Sequence, residues 1–135
     1  MVEKTLAIIK PDSVEDKNVG KIIDRIEQEG FNILEMKKTQ LITKQAENFY
    51  AVHKGKPFLS ELVEYVTSGP VIVMVLEKEN AIADWRKLMG ATDPAKAEEN
   101  TLRKLYGTHI GRNATHGSDS PENAEIEIKF FFPNI

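Results

Sequence analysis

The chain has 135 residues, the size of one ordinary domain, and 41% of them are hydrophobic, enough to bury a core without staples. Its formal net charge of −3 and pI near 5.7 lack the basic excess of a dedicated nucleic-acid or membrane-surface binder, so neither partner is expected and any anion site has to be local. With no cysteine there is no disulfide framework, thiol chemistry or cysteine-based zinc site, and with no signal-peptide core or membrane-length apolar run the default expectation is a cytoplasmic protein of one domain, residues 1–135.

Thr5 to Ile9 is an apolar run cut by Lys10-Pro11-Asp12, which reads as a strand ending in a turn with Lys10 at its exit. Val19, Ile22, Ile23 and Ile26 share one helical face, and Gly30 stops that helix. Asn32 to Gln40 reads as a second strand whose Lys37-Lys38-Thr39 suits an exposed edge. Thr43 is placed to cap a helix carrying Ala46, Phe49, Tyr50 and His53 on one face. Pro57 suits the first turn of another with Phe58 or Leu59, Leu62, Val63 and Val66, so the two form a helical pair. Val71 to Leu76, wholly apolar and rich in β-branched residues, has the pattern of a strand covered on both faces. Asn80 is placed to cap a helix through Trp85 to Met89, ended by Gly90. From Ala91 to Arg112 periodicity is weak, but Thr92, Arg103, His109 and Arg112 supply hydroxyl and cationic groups of the kind that hold phosphate.

The segment Asn113 to Ser120, Asn-Ala-Thr-His-Gly-Ser-Asp-Ser, concentrates reactive side chains where there is no core to build. A histidine pKa of about 6.5 leaves His116 largely neutral near pH 7, able to act as nucleophile or base, and Gly117 lets a ligand come close. Ser120-Pro121-Glu122 has the chemistry of a helix start, which favours anions, and Ser118 and Ser120 add donors. The competing reading is a polar loop leading into a helix. A Ser118-His116-Asp119 triad is disfavoured because near neighbours in one loop do not converge, and neither glycine-rich phosphate motif occurs. His53 and His109 match no zinc spacing and are read as structural. The element order gives an α/β (α+β) fold of βαββαβ, ferredoxin-like arrangement: a four-stranded antiparallel sheet with helices on one face plus the extra helical pair. If helices cover one face only, Val71 to Leu76 leaves apolar surface open to an interface.

Gly111-Arg112 with that octapeptide, Thr5 to Asp12, Ser68 to Val71 and Leu88 to Pro94 together resemble the nucleoside diphosphate kinases, in the family's order and spacing from about Lys4 to Phe132. The resemblance implies transfer of the γ-phosphate of a nucleoside triphosphate to a nucleoside diphosphate by a ping-pong route through phosphorylated His116, at Nδ1, with broad base specificity. It implies that Glu127 fixes the imidazole tautomer with help from Ser118 and that Tyr50 orients the histidine. Lys10, Arg86, Thr92 and Arg103 then hold phosphate, Phe58, Leu62 and Ile110 clamp the base, and Lys10 and Asn113 reach the ribose. Mg²⁺ is expected on the nucleotide phosphates with no direct protein ligand, Asp119 being an outer-shell partner. Homo-oligomers of two-fold dimers, tetramers or hexamers, are also implied. Ser13 stands where the family usually has glycine, and Lys104-Leu105-Tyr106 replaces commoner small or acidic residues. Two readings of other classes stand beside this one: a catalytically silent nucleotide sensor of the same fold, and an RNA-recognition module, which the chain's lack of the aromatic RNA-binding strand disfavours.

Overall fold

The computed structural model describes residues 2–51, 55–108 and 112–134. Eleven named elements place the site: β1 (Val2–Ile9), α1 (Pro11–Glu15), α2 (Val19–Gln28), β2 (Asn32–Thr39), α3 (Thr43–Phe49), α4 (Leu59–Val66), β3 (Val71–Glu79), α5 (Ala81–Met89), α6 (Leu102–Tyr106), β4 (Thr115–Gly117) and α7 (Pro121–Phe131), with a 3₁₀ turn at Pro94–Lys96. The strands form one antiparallel sheet in the order β2-β3-β1-β4, the ferredoxin-like topology expected from the element order. β2 is an edge strand as its lysines suggest, and a register shift between Ile33 and Glu35 interrupts its pairing with β3.

Because side chains alternate across a strand, β1 and β3 feed two cores. Ala7, Ile9, Ile72, Met74 and Leu76 face α2 and α5, packing on Ile22, Ile26, Trp85 and Met89. Leu6, Ile8, Val71, Val73 and Val75 face the other way, against Ala46 and Tyr50, Val63 and Val66 of α4, and Ile128 and Phe131 of α7. The face of β3 that looked available for an interface is therefore covered within the chain, by the helical pair and α7. Ala124, Ile128 and Phe131 are the buried stripe of α7, a spacing visible in the sequence.

Three helix starts differ from expectation. Thr43 is the first residue of α3, not its cap; Ile42 takes that place, and its N–H donates to Gln45 Oε1 at 3.1 Å. Phe58 is the N-cap position of α4, so Pro57 stands outside the helix. Asn80 precedes α5 in a left-handed conformation (φ 58°) without a side-chain cap, and Glu3 Oε1 instead accepts from the Ile82 N–H at 2.8 Å. An acceptor 79 residues away in sequence performs the capping that local spacing assigned to Asn80. Gly90, at φ 89°, ends α5 as expected.

Candidate active site

The register of β4 aims His116. It pairs with Ile8, whose side chain belongs to the α3–α4–α7 core, so the imidazole points to that side, while its neighbours Thr115 and Gly117 pair with Ile9 and Ala7 and face α5. On the first side, Phe49 and Tyr50 meet the imidazole edge to face, at centroid distances of 5.4 and 6.1 Å. On the second, Gly117 has no room for a side chain: a Cβ would lie 2.6 Å from Trp85 Nε1, and that indole N–H donates to the His116 carbonyl at 3.1 Å. Strand and ring are thus braced from both faces of the sheet.

Ser120 accepts from the Asn123 N–H and Pro121 occupies the first turn, so α7 starts where the Ser-Pro-Glu signal put it. The helix returns Glu127 over the histidine. Glu127 Oε1 lies 2.9 Å from His116 Nε2 and accepts the Ser118 hydroxyl at 2.9 Å, while Ser118 Oγ accepts the Leu6 N–H at 3.3 Å. A carboxylate oxygen can only accept, so the imidazole proton sits on Nε2 and the lone pair on Nδ1. Burial lowers the His116 pKa below its usual value, helped by the positive charges of Lys10 and Arg103 and opposed by Glu127. The ring is therefore neutral at pH 7.

The cations surround this ring from other elements. Lys10, at the end of β1 and 7% exposed, donates through Nζ to Asn113 Oδ1 at 2.9 Å, and burial together with nearby Arg103 lowers its pKa to about 7. Asn113 in turn donates to the Thr92 carbonyl at 3.1 Å, tying the loop after α5 to the strand that carries His116. Arg103 of α6 gives its two terminal nitrogens to the Gly90 and Thr115 carbonyls at 3.0 and 2.9 Å. Its buried Nε has no partner among the described residues, and burial with the charge of Arg86 lowers its pKa to about 10. Arg86 and Thr92 are exposed at the rim, as is Asp119, whose carboxylate accepts from Asn123 Nδ2 at 2.6 Å and whose pKa is lowered chiefly by that bond. Phe58 stands 46% exposed at the head of α4 with Lys56 Nζ 5.9 Å from its ring centroid, while Leu62, one turn on, packs partly buried on the core. Ile110, the other expected base contact, and His53 and His109 lie outside the described residues.

A partly exposed neutral imidazole with a fixed tautomer, set near the cations Lys10 and Arg103 and braced by the rings of Phe49 and Tyr50, suits phosphate transfer. The chain matches the family model described as nucleoside diphosphate kinase over residues 3–135. It belongs to that family. It is 54% identical over 134 residues to the nucleoside diphosphate kinase of Persephonella marina, covering 99% of this chain and 96% of the relative. Identity with the enzyme of Chlorobaculum parvum is 57% over 131 residues, covering 97% and 94%. Among solved structures, the Aquifex aeolicus nucleoside diphosphate kinase superposes with a TM-score of 0.96 at 47% identity, covering 98% of this chain and 96% of that one. The Halobacterium salinarum enzyme in complex with CDP superposes at 0.95 and 39% identity, covering 99% and 90%. The chain is accordingly an enzyme that transfers phosphate between nucleotides.

Several contacts of this site had no local signal. Phe49 was read only as one residue of a helical face, Trp85 only as part of a helix, and the Gly90 carbonyl that receives Arg103 not at all. Two surface clefts of about 340 and 370 Å³, one lined by Lys4 and Glu125 and the other by Phe31 and Lys87, lie away from His116. No group of three or more His, Asp or Glu that could hold a metal occurs among the described residues, and no described helix is long and apolar enough to cross a membrane.

Proposed function

We propose that the transfer runs by a ping-pong route through His116, and the observation that carries this is the Nε2–Glu127 hydrogen bond, which leaves Nδ1 with the lone pair. In the first half-reaction Nδ1 attacks the γ-phosphorus, the P–N bond forms as the bond to the β-phosphate oxygen breaks, and the nucleoside diphosphate leaves. In the second, the terminal oxygen of another diphosphate attacks the phosphohistidine, and the imidazole departs neutral. Lys10, Arg86, Thr92 and Arg103 balance charge on the transferring oxygens. Tyr50 and Ser118 keep ring and carboxylate aligned.

Base binding falls to Phe58, Leu62 and Ile110, which offer apolar and π surface without reading a base edge, so all common nucleotides serve; Lys10 and Asn113 serve the ribose. Lys10 and Arg103 near His116 suit the anionic phosphates and offer a cation no ligand, so in this reading Mg²⁺ is carried in on the nucleotide phosphates, with Asp119 as outer-shell partner. When bound, Mg²⁺ neutralises and orients the phosphates. The chain assembles as two-fold dimers within a tetramer or hexamer; the edge strand β2, with Leu34 and Met36 39% and 50% exposed, is suited to one contact. Incubation with γ-³²P-ATP tests the mechanism: label should appear on His116, be acid-labile, and be discharged by added diphosphate. Turnover without such an intermediate would overturn it.

A further inference from the structure

Two residues before His116 the backbone makes an uncommon turn. Ala114 has φ 74°, and the Thr115 N–H donates to the Asn113 carbonyl at 2.9 Å across it. A hydrogen bond from residue i+2 to residue i over a positive-φ centre is the rarer, strained kind of γ-turn. Ala114 is fully buried and carries a Cβ, so the conformation persists only if its surroundings impose it.

The imposing groups are on the page. The Ala114 carbonyl accepts the Lys10 N–H at 2.8 Å, and its own N–H donates to Asp12 Oδ2 at 3.1 Å. The other Asp12 oxygen accepts the Tyr65 hydroxyl. An aspartate in the first turn of a helix ordinarily caps that helix from the surface, yet α1 has no side-chain cap, and Asp12 is 3% exposed with both oxygens committed to distant segments. A buried carboxylate is costly unless both oxygens are engaged, so this one is held where it is by what it binds. Tyr65 belongs to α4, the helix that carries Leu62 and follows Phe58, and Lys10 Nζ and the Arg112 guanidinium each lie 5.7 Å from its ring centroid.

We propose that Asp12, backed by Tyr65, is a positioning residue for phosphate transfer: it holds Ala114 in the strained turn that sets His116 against Glu127, and it joins that turn to the helix of the base clamp. It touches no reacting atom. The proposal rests on His116 being the nucleophile, and the experiment separates the two ideas.

Three quantities are measured on the full chain: the rate of phosphoenzyme formation from γ-³²P-ATP by rapid quench, the ADP dissociation constant by calorimetry, and φ at residue 114 from its three-bond amide coupling by NMR. Asp12→Ala should slow phosphoenzyme formation tenfold or more while the ADP constant stays within twofold, and the coupling should report loss of the positive φ. Tyr65→Phe keeps the ring and the Asp12–Ala114 bond and should slow the same step about threefold. Ala114→Gly placed in the Asp12→Ala background should recover most of the lost rate, because glycine takes the turn without being forced. Parent rates in both single variants overturn the proposal, as does rate lost together with ADP affinity and not recovered by glycine. If Asp12→Ala does not fold, the Tyr65→Phe rate and coupling decide alone. If the parent chain takes no label on His116, the nucleophile reading fails, and a φ that stays positive in Asp12→Ala overturns the clasp separately.

Discussion

Replacing Glu127 probes how much of the histidine's reactivity comes from being held. Its Oε1 receives both His116 Nε2 and Ser118 Oγ at 2.9 Å, and the Ser118 side chain is fully buried. A hydrogen bond to a charged group contributes roughly 1.5–3 kcal/mol, so Glu127→Ala should slow phosphorylation of His116 by about 10- to 150-fold. Glu127→Gln keeps an acceptor and loses the charge assistance, about half the strength, so its loss should be about 3- to 10-fold. Protonation cannot explain either loss: Glu127 raises the His116 pKa, so its removal lowers that pKa further and leaves more neutral imidazole. The assay is single-turnover phosphoenzyme formation with ADP affinity measured beside it. Gln as damaging as Ala, or equal losses in rate and affinity, would refute the reasoning and make Glu127 a structural residue.

His116→Ala should abolish phosphoenzyme and exchange while calorimetry still detects ADP, since the clamp and cations remain; any retained turnover contradicts the nucleophile. The acid limb of phosphoenzyme formation should lie below pH 6.5, because burial lowers the His116 pKa and only the protonated ring is unreactive. Lys10 changes the alkaline side. With a pKa lowered to about 7 it is neutral above that pH, whereas phosphate favours its ammonium form, so nucleotide affinity should fall as pH rises past 7, and calorimetry in buffers of different ionisation enthalpy should show proton uptake on binding. ADP, GDP, CDP and UDP should accept phosphate at similar kcat/KM; a preference of several orders of magnitude would remove the stacking account. Light scattering after size exclusion should give a multiple of the 15.2 kDa chain mass.

What the sequence made legible was local. β3 could be read from six consecutive apolar residues and α2 from its spacing and terminal glycine; the start of α7 from Ser-Pro-Glu, because a cap, a fixed φ and a first-turn acid act within one turn. The four motifs led to the family, and they bracket the groups the fold brings together: Lys10 with Asn113, His116 with Ser118 and Glu127. What stayed hidden is long-range. Glu3 caps α5 from the start of the neighbouring strand β1, Asp12 turns inward to a residue 102 positions away, and α7 helps close the second face of the sheet. Nothing in a short window distinguishes an aspartate that caps its own helix from one that reaches across the molecule. Ala114 is the sharper case, since alanine carries no mark of a positive φ and the strain exists only where Lys10 and Asp12 impose it.

Trp85 is the chain's one tryptophan, and its indole N–H is bonded to the carbonyl of His116 itself. The emission of an indole responds to the field along its long axis, and a phosphoryl group on the neighbouring imidazole would add negative charge within one residue of that bond. The protein thereby carries an intrinsic optical label at its own site, with no second tryptophan to dilute the signal. If His116 carries the phosphate as proposed, its loading and discharge should change the fluorescence of Trp85 in real time on unmodified protein, and Trp85→Phe supplies the silent control.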